Sequence, residues 1–334
     1  MSGKAQDIND LAKKGQLPED VAKNAKPVNA KAREIAEEEA RLVSLKSLLS
    51  DSAKRAFLPR EETLHLTTGH WEMDKDTGGF RRGCVWVFGA KSSWGKSSHL
   101  LMAADENIKR GKRVLIVSAE DPKELYADRW MVRRARVSRY RFQNQKLDMY
   151  ETDRIHSVVR GAEDVPVYLS AIGKGVEWAA KKVRQIIQAE KIDLVAWDYL
   201  HAFDNEKPMK DRRSQLNYIA RTMTDCTKSA DVAGIIYAQI TPDEKASGPP
   251  DMYVIRDTKD VVNAAEVVAV GFDASGKEKR GDQFVAEPGS RVIVLAKNKP
   301  GPGPKGRIYA MNSDNTHGCF DVTENPDPED DYFG

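Results

Sequence analysis

Short apolar runs alternate with longer amphipathic stretches along most of this chain, from residue 84 onward. The runs predict strands at Cys84–Phe88, Val114–Ser118, Val167–Ser170, Leu194–Leu200, Gly234–Gln239, Val267–Phe272 and Val292–Lys297. The stretches between them predict helices at His99–Arg110, Pro122–Arg139, Val176–Glu190 and Ser214–Ala230. Strands that alternate with helices imply an α/β fold with a mostly parallel sheet covered on both faces. Ligands bind such sheets beyond the carboxyl ends of the strands.

The two ends of the chain have a different pattern. Residues 1 to about 30 contain too few apolar side chains for a core and predict a flexible arm. A helix is predicted over Ala30–Ala56, because Ile35, Leu42, Leu45 and Leu49 share one narrow face. That face could pack on its own domain or dock on a neighbouring subunit. We therefore divide the chain into an N-terminal arm (1–62), a main domain (63–322) and an acidic, disordered tail (323–334).

Composition narrows the protein class. Forty per cent of the 334 residues are apolar and 31% are charged, which predicts a soluble protein with a real core. The formal net charge is only +2, so any nucleic-acid contact must come from a local basic patch. The three cysteines are too widely spaced to indicate a zinc site or a disulfide framework. With no signal peptide and no apolar run near 18 residues, we expect a cytoplasmic protein without a membrane partner.

A phosphate-binding loop follows the first strand. Residues 89–98 read G-A-K-S-S-W-G-K-S-S, between an apolar run and a helix-like segment. Backbone N–H groups of such a loop bind phosphate, the lysine reaches the β- and γ-phosphates, and the hydroxyl holds Mg²⁺. This assigns Lys96 and Ser97 to those roles, although Ala90 stands where the usual motif has glycine. The predicted ATP-binding residues are Ala90, Lys91, Ser92, Ser93, Trp94, Gly95, Lys96, Ser97 and Ser98. The alternative is a chance Gly-Lys-Ser in a surface turn.

Polar side chains follow the later strands. Glu120 is placed to deprotonate a water that attacks the γ-phosphate, whereas Asp121 suits the cap of the following helix. Asp198 ends a buried strand, where an acid can join the Mg²⁺ shell. Gln239 could sense the γ-phosphate, and Lys297 with Lys299 could supply positive charge to a phosphate of the same or a neighbouring subunit. Alone, each of these residues has an ordinary structural alternative, such as a solvent-facing loop residue.

In order along the chain, these motifs resemble the RecA-fold motor domain of ring-shaped replicative DNA helicases of the DnaB type. The resemblance covers roughly Thr67 to Val322. It is carried by Thr68-Gly69, Gly78-Gly79, the 90–97 loop, Ser118-Ala119-Glu120, Asp198-Tyr199-Leu200, Ala238-Gln239, Arg256-Asp257, Ala264-Ala265-Glu266-Val267-Val268 and Lys297-Asn298-Lys299-Pro300-Gly301.

The resemblance implies a homo-hexameric helicase that moves on single-stranded DNA and hydrolyses ATP with Mg²⁺ between subunits. It implies that Lys96, Ser97, Glu120 and Asp198 come from one subunit. Lys297 and Lys299 would come from the next. Two loops would face the DNA, and their candidate contacts are Lys207, Lys210, Arg212, Arg213, Arg256 and Lys259. A replication loader or a primase is a further expected partner.

Departures from the family keep other functions open. Lys299 stands where the family has its arginine finger, so Arg291 or Arg307 could serve instead, and Lys259 replaces a glycine. About 60 residues precede the first motif, which resembles compact plasmid or phage helicases without the N-terminal collar domain. The alternatives are a RecA-like recombination or repair ATPase and a weakly hydrolysing, nucleotide-gated regulatory ring.

Overall fold

The computed structural model of the protein describes residues 44–57, 66–240, 249–255, 259–280 and 283–323. The chain forms two compact units, Met1–Pro59 and Arg60–Gly334. In the first unit, the described residues form helix α1 (Leu45–Ala56), on which Leu45, Leu48 and Leu49 are exposed. The earlier part of this predicted helix and the acidic tail from residue 324 lie outside the described residues.

The second unit is built on an eight-stranded sheet. Its strands in chain order are β1 (Val85–Ala90), β2 (Val114–Ser118), β3 (Tyr168–Ser170), β4 (Leu194–Asp198), β5 (Ala233–Gln239) and β6 (Val267–Asp273). After a small hairpin of β7 (Lys279–Arg280) and β8 (Gln283–Phe284) come β9 (Arg291–Asn298) and β10 (Ile308–Ala310). The spatial order is β10-β9-β6-β1-β5-β4-β2-β3. Strands β1 to β6 are parallel, whereas β9 and β10 run antiparallel at one side. A second hairpin, β11 (Asn312–Asp314) with β12 (Cys319–Asp321), follows.

Helices cover both faces of this sheet. In chain order they are α2 (Trp71–Thr77), α3 (Lys96–Lys109), α4 (Lys123–Ala135), α5 (Arg139–Gln143), α6 (Met149–Arg160), α7 (Val176–Glu190), α8 (Arg212–Ser229) and α9 (Lys259–Ala264), with 3-10 turns at Leu200–Ala202 and Met252–Val254. Along β1, Val85 and Val87 join a core with α7 and α8, whereas Trp86 and Phe88 join a core with α3. Burial on both faces explains why the strands read as unbroken apolar runs. No helix among the described residues is long and apolar enough to cross a membrane.

The predicted mostly parallel sheet is confirmed, and the differences are local. The predicted helix Pro122–Arg139 is broken, because Arg136 adopts a left-handed conformation (φ 52°) and Ser138 caps a new helix by accepting from the Arg141 amide. Helix α6 was missed, although its capping box of Asp148 and Glu151 is a readable sequence signal.

The segment before α8 also differs from the prediction. Arg212 and Arg213, expected in a loop, form the first turn of α8. The Asp211 carboxylate caps this turn by accepting from the Ser214 amide at 2.8 Å. An aspartate cap therefore starts the helix two residues earlier than the apolar periodicity indicated.

Candidate nucleotide-binding site

The carboxyl ends of β1, β5, β4 and β2 lie side by side and gather most of the predicted polar residues. Ala90 pairs in register with Gln239, and Ser118 pairs with Asp198. Glu120 follows β2 by two residues. Neighbouring strands are about 4.8 Å apart, so these groups fall within about 15 Å of one another along the sheet edge. The sheet topology thus brings together residues that are far apart in sequence.

The 90–95 loop leads directly from β1 into α3, which begins at Lys96. Gly95 has a φ of 113°, and a Cβ atom added there would lie 3.0 Å from the Phe320 ring. A side chain at this position is therefore disfavoured by both backbone and packing. The first turn of α3 carries no acidic residue, so its amide N–H groups and the helix dipole present positive potential to an anion.

The Lys96 ammonium is folded back into this loop. Its Nζ donates to the carbonyl oxygens of Ala90 at 3.2 Å and Lys91 at 3.0 Å. Burial lowers the pKa of Lys96, while the charges of Asp198 and Glu120 act in the opposite direction. The ammonium is thus held at the loop itself, and its role toward a bound phosphate stays a prediction.

Ser97 and Asp198 form an oxygen-lined site beside Lys96. The Ser97 hydroxyl donates to Oδ2 of Asp198 at 3.4 Å, and the Tyr126 hydroxyl donates to the same oxygen. Asp198 is only 6% exposed, and this burial raises the pKa of its carboxyl. Within the described residues, no group of three or more His, Cys, Asp or Glu side chains could hold a metal. The pair suits Mg²⁺, which is commonly held by one or two protein oxygens together with water and phosphate.

Glu120 and Asp121 have different surroundings. Glu120 is exposed at the sheet edge, close enough for its charge to affect Lys96. Asp121 does not cap α4 as predicted, because its carboxylate pairs with Arg129 at 2.6 Å instead. Of the two carboxylates, Glu120 is the one available to a water above the loop.

Gln239 ends β5 next to the first residue of the loop, and its side chain is exposed. Its backbone N–H donates to Nδ1 of His201 at 3.4 Å, and the His201 carbonyl accepts from Arg212 at 3.0 Å. His201 therefore connects the sheet edge to the segment predicted to contact DNA, and it was not among the predicted site residues. Its partners Gln239 and Arg212 are distant in sequence, so no local sequence pattern indicates this role.

Two of the predicted ATP-binding residues turn their side chains into the protein. Trp94 is 3% exposed, donates from Nε1 to the Phe272 carbonyl at 3.0 Å, and packs against Phe88 and Phe320. The Ser98 hydroxyl donates to the Gly318 carbonyl at 3.0 Å. These two residues can face a phosphate only through their backbone N–H groups, whereas Lys91, Ser92 and Ser93 are exposed.

Lys297 and Lys299 lie at the opposite edge of the sheet. Strand β9 runs antiparallel to β6, so Lys297 pairs with Val268 at the amino end of β6. The six residues of β1 separate this edge from the loop by about 17 Å. Lys297 donates to the carbonyls of Val262 at 3.0 Å and Asn263 at 2.8 Å, at the end of α9. Lys299 is exposed. Neither lysine can reach the loop of its own chain.

The two alternative arginines occupy different places. Arg307 pairs with the Asp76 carboxylate at 2.8 Å and with Glu72 at 3.7 Å, inside the domain. Arg291 begins β9 at the same edge as the loop and stacks over the Phe320 ring, with its guanidinium carbon 5.5 Å from the ring centre. Arg291 is therefore beside its own nucleotide site, and Arg307 is engaged in an internal ion pair.

The first group of predicted DNA contacts follows β4. Lys207, Lys210, Arg212 and Arg213 are exposed. The Lys207 ammonium lies 5.7 Å from the centre of the Tyr218 ring. Arg256 and the side chain of Lys259 lie outside the described residues. The described basic side chains are thus accessible to a phosphate backbone.

Comparison with known proteins places this site in a family. Residues 65–315 match the family described as DnaB-like helicase C terminal domain. The chain is 25% identical over 266 residues to a replicative DNA helicase DnaB of Treponema pallidum, covering 77% of this chain and 57% of the relative. It is 22% identical over 247 residues to a probable replicative DNA helicase of Trieres chinensis, covering 71% and 53%. The chain spans about half the length of the curated relatives it matches.

Two solved structures have the same fold. One of them, an ATPase domain, superposes with a TM-score of 0.71 at 17% identity, over 85% of this chain and all of that one. A DnaB-like replicative helicase, solved in a study of its interactions with primase, superposes with a TM-score of 0.70 at 18% identity, over 95% and 76%. The family match covers well over half of the chain and includes all of the site residues predicted from the sequence. The chain therefore belongs to the DnaB-like helicase C-terminal domain family.

Proposed function

We propose that this chain is the motor of a homo-hexameric ring helicase that uses ATP hydrolysis to move on single-stranded DNA and unwind duplex DNA in replication. One observation carries the proposal: the loop with Lys96 lies at one edge of the sheet, and Lys299 lies at the other. A site that needs both must be shared by two copies of the chain. A repeated head-to-tail contact of this kind generates a closed ring or a filament.

Each of the candidate residues has a separate role in ATP binding and hydrolysis. Lys96 and the amide groups of the loop bind the β- and γ-phosphates of ATP, and Glu120 orients and deprotonates the attacking water. Ser97 and Asp198 would hold Mg²⁺, which neutralises charge on the phosphates when it is bound. Gln239 would sense the γ-phosphate at the end of β5. Lys297 and Lys299 of the next copy would stabilise the charge that develops during transfer.

The proposed DNA-binding segment is connected to the same edge of the sheet. The His201 bonds join Gln239 to Arg212, so a change at the γ-phosphate can reach the basic segment 207–213. Contacts by Lys207, Lys210, Arg212 and Arg213, together with Arg256 and Lys259, would follow the phosphate backbone without reading bases. A primase or a loader is the proposed protein partner, and the proposed compartment is the cytoplasm.

The test is steady-state ATP hydrolysis with and without single-stranded DNA, with Lys96→Ala as the blank. We expect strong stimulation by DNA and loss of turnover in Lys96→Ala, because the β- and γ-phosphates lose their cation. Retained turnover in this variant would contradict the loop assignment. Weak, DNA-independent turnover would instead identify a regulatory ring, and open filaments on DNA would identify a recombination-type ATPase.

A mixing experiment tests the shared site directly. We expect Lys299→Ala to lower turnover at least about tenfold, because it removes a cation from the transferred phosphate. Mixed with Lys96→Ala protein, it should regain activity, since some interfaces then combine an intact Lys96 with an intact Lys299. No recovery after verified subunit exchange would contradict sharing between copies.

A further inference from the structure

Tyr126 contacts the carboxylate of Asp198 from helix α4, which is separate from the phosphate-binding loop. It lies on α4, and its hydroxyl donates to Oδ2 of Asp198, the oxygen that also accepts from Ser97. We propose that Tyr126 is a positioning residue that fixes the orientation of the Asp198 carboxylate for the cation held with Ser97. The inference rests on the nucleotide site proposed above, and it adds a residue from a third segment of the chain.

The Tyr126 hydroxyl has a fixed position. Its side chain is 3% exposed, and its ring lies 5.4 Å from that of Tyr168. Helix α4 is also tied to α3, the helix that begins at Lys96. The buried Asp105 of α3 accepts from Trp130 at 3.0 Å and from Arg134 at 2.6 Å, both on α4. The phenol is therefore held rigidly with respect to Ser97, which lies at the start of α3.

The Asp198 carboxylate needs such a partner. At 6% exposure it has little access to water, so its orientation depends on protein donors. The Ser97 hydroxyl approaches Oδ2 only at 3.4 Å, which is long for an O–H···O bond, whereas the phenol makes a close contact. Hydrogen bonds to ligating carboxylates typically control metal affinity by about 10- to 100-fold. Tyr126 is thus the main donor that holds the carboxylate in place.

Helix α4 also joins two parts of the site. It starts three residues after Glu120 and carries Tyr126 to Asp198. The Arg129–Asp121 pair ties the middle of the helix to the segment that contains Glu120. One helix therefore fixes the spacing between the proposed base and the proposed metal ligand.

The variant Tyr126→Phe tests this role, because it keeps the buried ring and removes only the hydroxyl. The measurement is equilibrium binding of a fluorescent ATP analogue as a function of Mg²⁺ concentration, with a parallel titration in EDTA. We expect the Mg²⁺ concentration for half-maximal enhancement of binding to rise about tenfold. Binding in EDTA should equal that of the wild type, which shows that the loop and the fold are intact.

The matched control is Tyr168→Phe. Tyr168 belongs to the same aromatic pair, but its hydroxyl donates to the backbone carbonyl of Asp121 at 2.6 Å. The Mg²⁺ concentration that Tyr168→Phe needs for half-maximal enhancement of nucleotide binding should stay at the wild-type value. If Tyr126→Phe matches Tyr168→Phe, or weakens binding equally with and without Mg²⁺, the positioning role is refuted.

A second variant separates this inference from the proposed function. Asp198→Asn should raise the Mg²⁺ requirement by more than Tyr126→Phe does, since it removes the carboxylate itself. An unchanged requirement in Asp198→Asn would refute the metal assignment. A raised requirement in Asp198→Asn alone, with Tyr126→Phe at the wild-type value, would refute only the role of Tyr126.

Discussion

Gly271 provides a sharp test of how the phosphate loop is held. It lies on β6 in register with Ala90, and a Cβ atom added there would lie 2.7 Å from two ring carbons of Trp94. The indole cannot easily move away. It is packed against Phe88 and Phe320, and its Nε1 is bonded to the Phe272 carbonyl. Gly271→Ala should therefore push on the residue that directly precedes Gly95 and Lys96.

We expect Gly271→Ala to lower the free energy of unfolding by about 1 to 3 kcal/mol, the usual cost of overpacking a core. The nucleotide affinity should fall as well, because displacement of Trp94 moves the loop. In a Trp94→Leu background the smaller side chain leaves room for the methyl group. There the same substitution should cost at least about 1 kcal/mol less, as contacting residues couple by about 0.5 to 3 kcal/mol.

The assay is guanidinium unfolding at a fixed protein concentration, combined with nucleotide titration. Gly161→Ala is the matched control, because Gly161 has a φ of −95° and its added Cβ would lie 3.4 Å from the nearest atom. That variant should be neutral or slightly stabilised. Equal costs of Gly271→Ala in the wild-type and Trp94→Leu backgrounds would refute the steric argument.

Two further predictions concern pH and the choice of finger residue. Burial lowers the pKa of His99 to about 3, so the unfolded chain binds a proton that the folded protein excludes. The free energy of unfolding should therefore fall as the pH drops below about 6.5, by up to about 1.4 kcal/mol per pH unit. In unfolding titrations, His99→Gln should flatten this slope between about pH 6 and 4.5. An unchanged slope in the variant would contradict the assignment to His99. Arg307→Gln should lower stability by about 1 to 3 kcal/mol, because it leaves the buried Asp76 without its ion-pair partner, yet keep turnover per folded protein. Lys299→Ala should instead lower turnover and keep the free energy of unfolding. If Arg307→Gln lowers turnover and Lys299→Ala does not, Arg307 is the residue that takes the place of the arginine finger.

The sequence was most informative where the physical signal is local. Strands buried on both faces appear as apolar runs, so β1, β2, β4, β5, β6 and β9 could be located from the sequence with only small end errors. Caps and breaks were harder to predict. Helix α4 ends where Arg136 adopts a left-handed backbone conformation, which is uncommon for arginine and therefore not predictable from its residue type. The short strands β10, β11 and β12 lack enough residues for a clear period.

For the site, the sequence alone determined which groups are present. The loop with Lys96 and Ser97, and the polar residues after the strands, were readable because parallel strands present their carboxyl ends at one edge. Only the tertiary structure decided how they are arranged. Strand β9 turns antiparallel and carries Lys297 and Lys299 to the far edge, and Tyr126 meets Asp198 across 72 residues of sequence. Contacts between distant segments depend on strand order and helix packing, and no local run of residues encodes either.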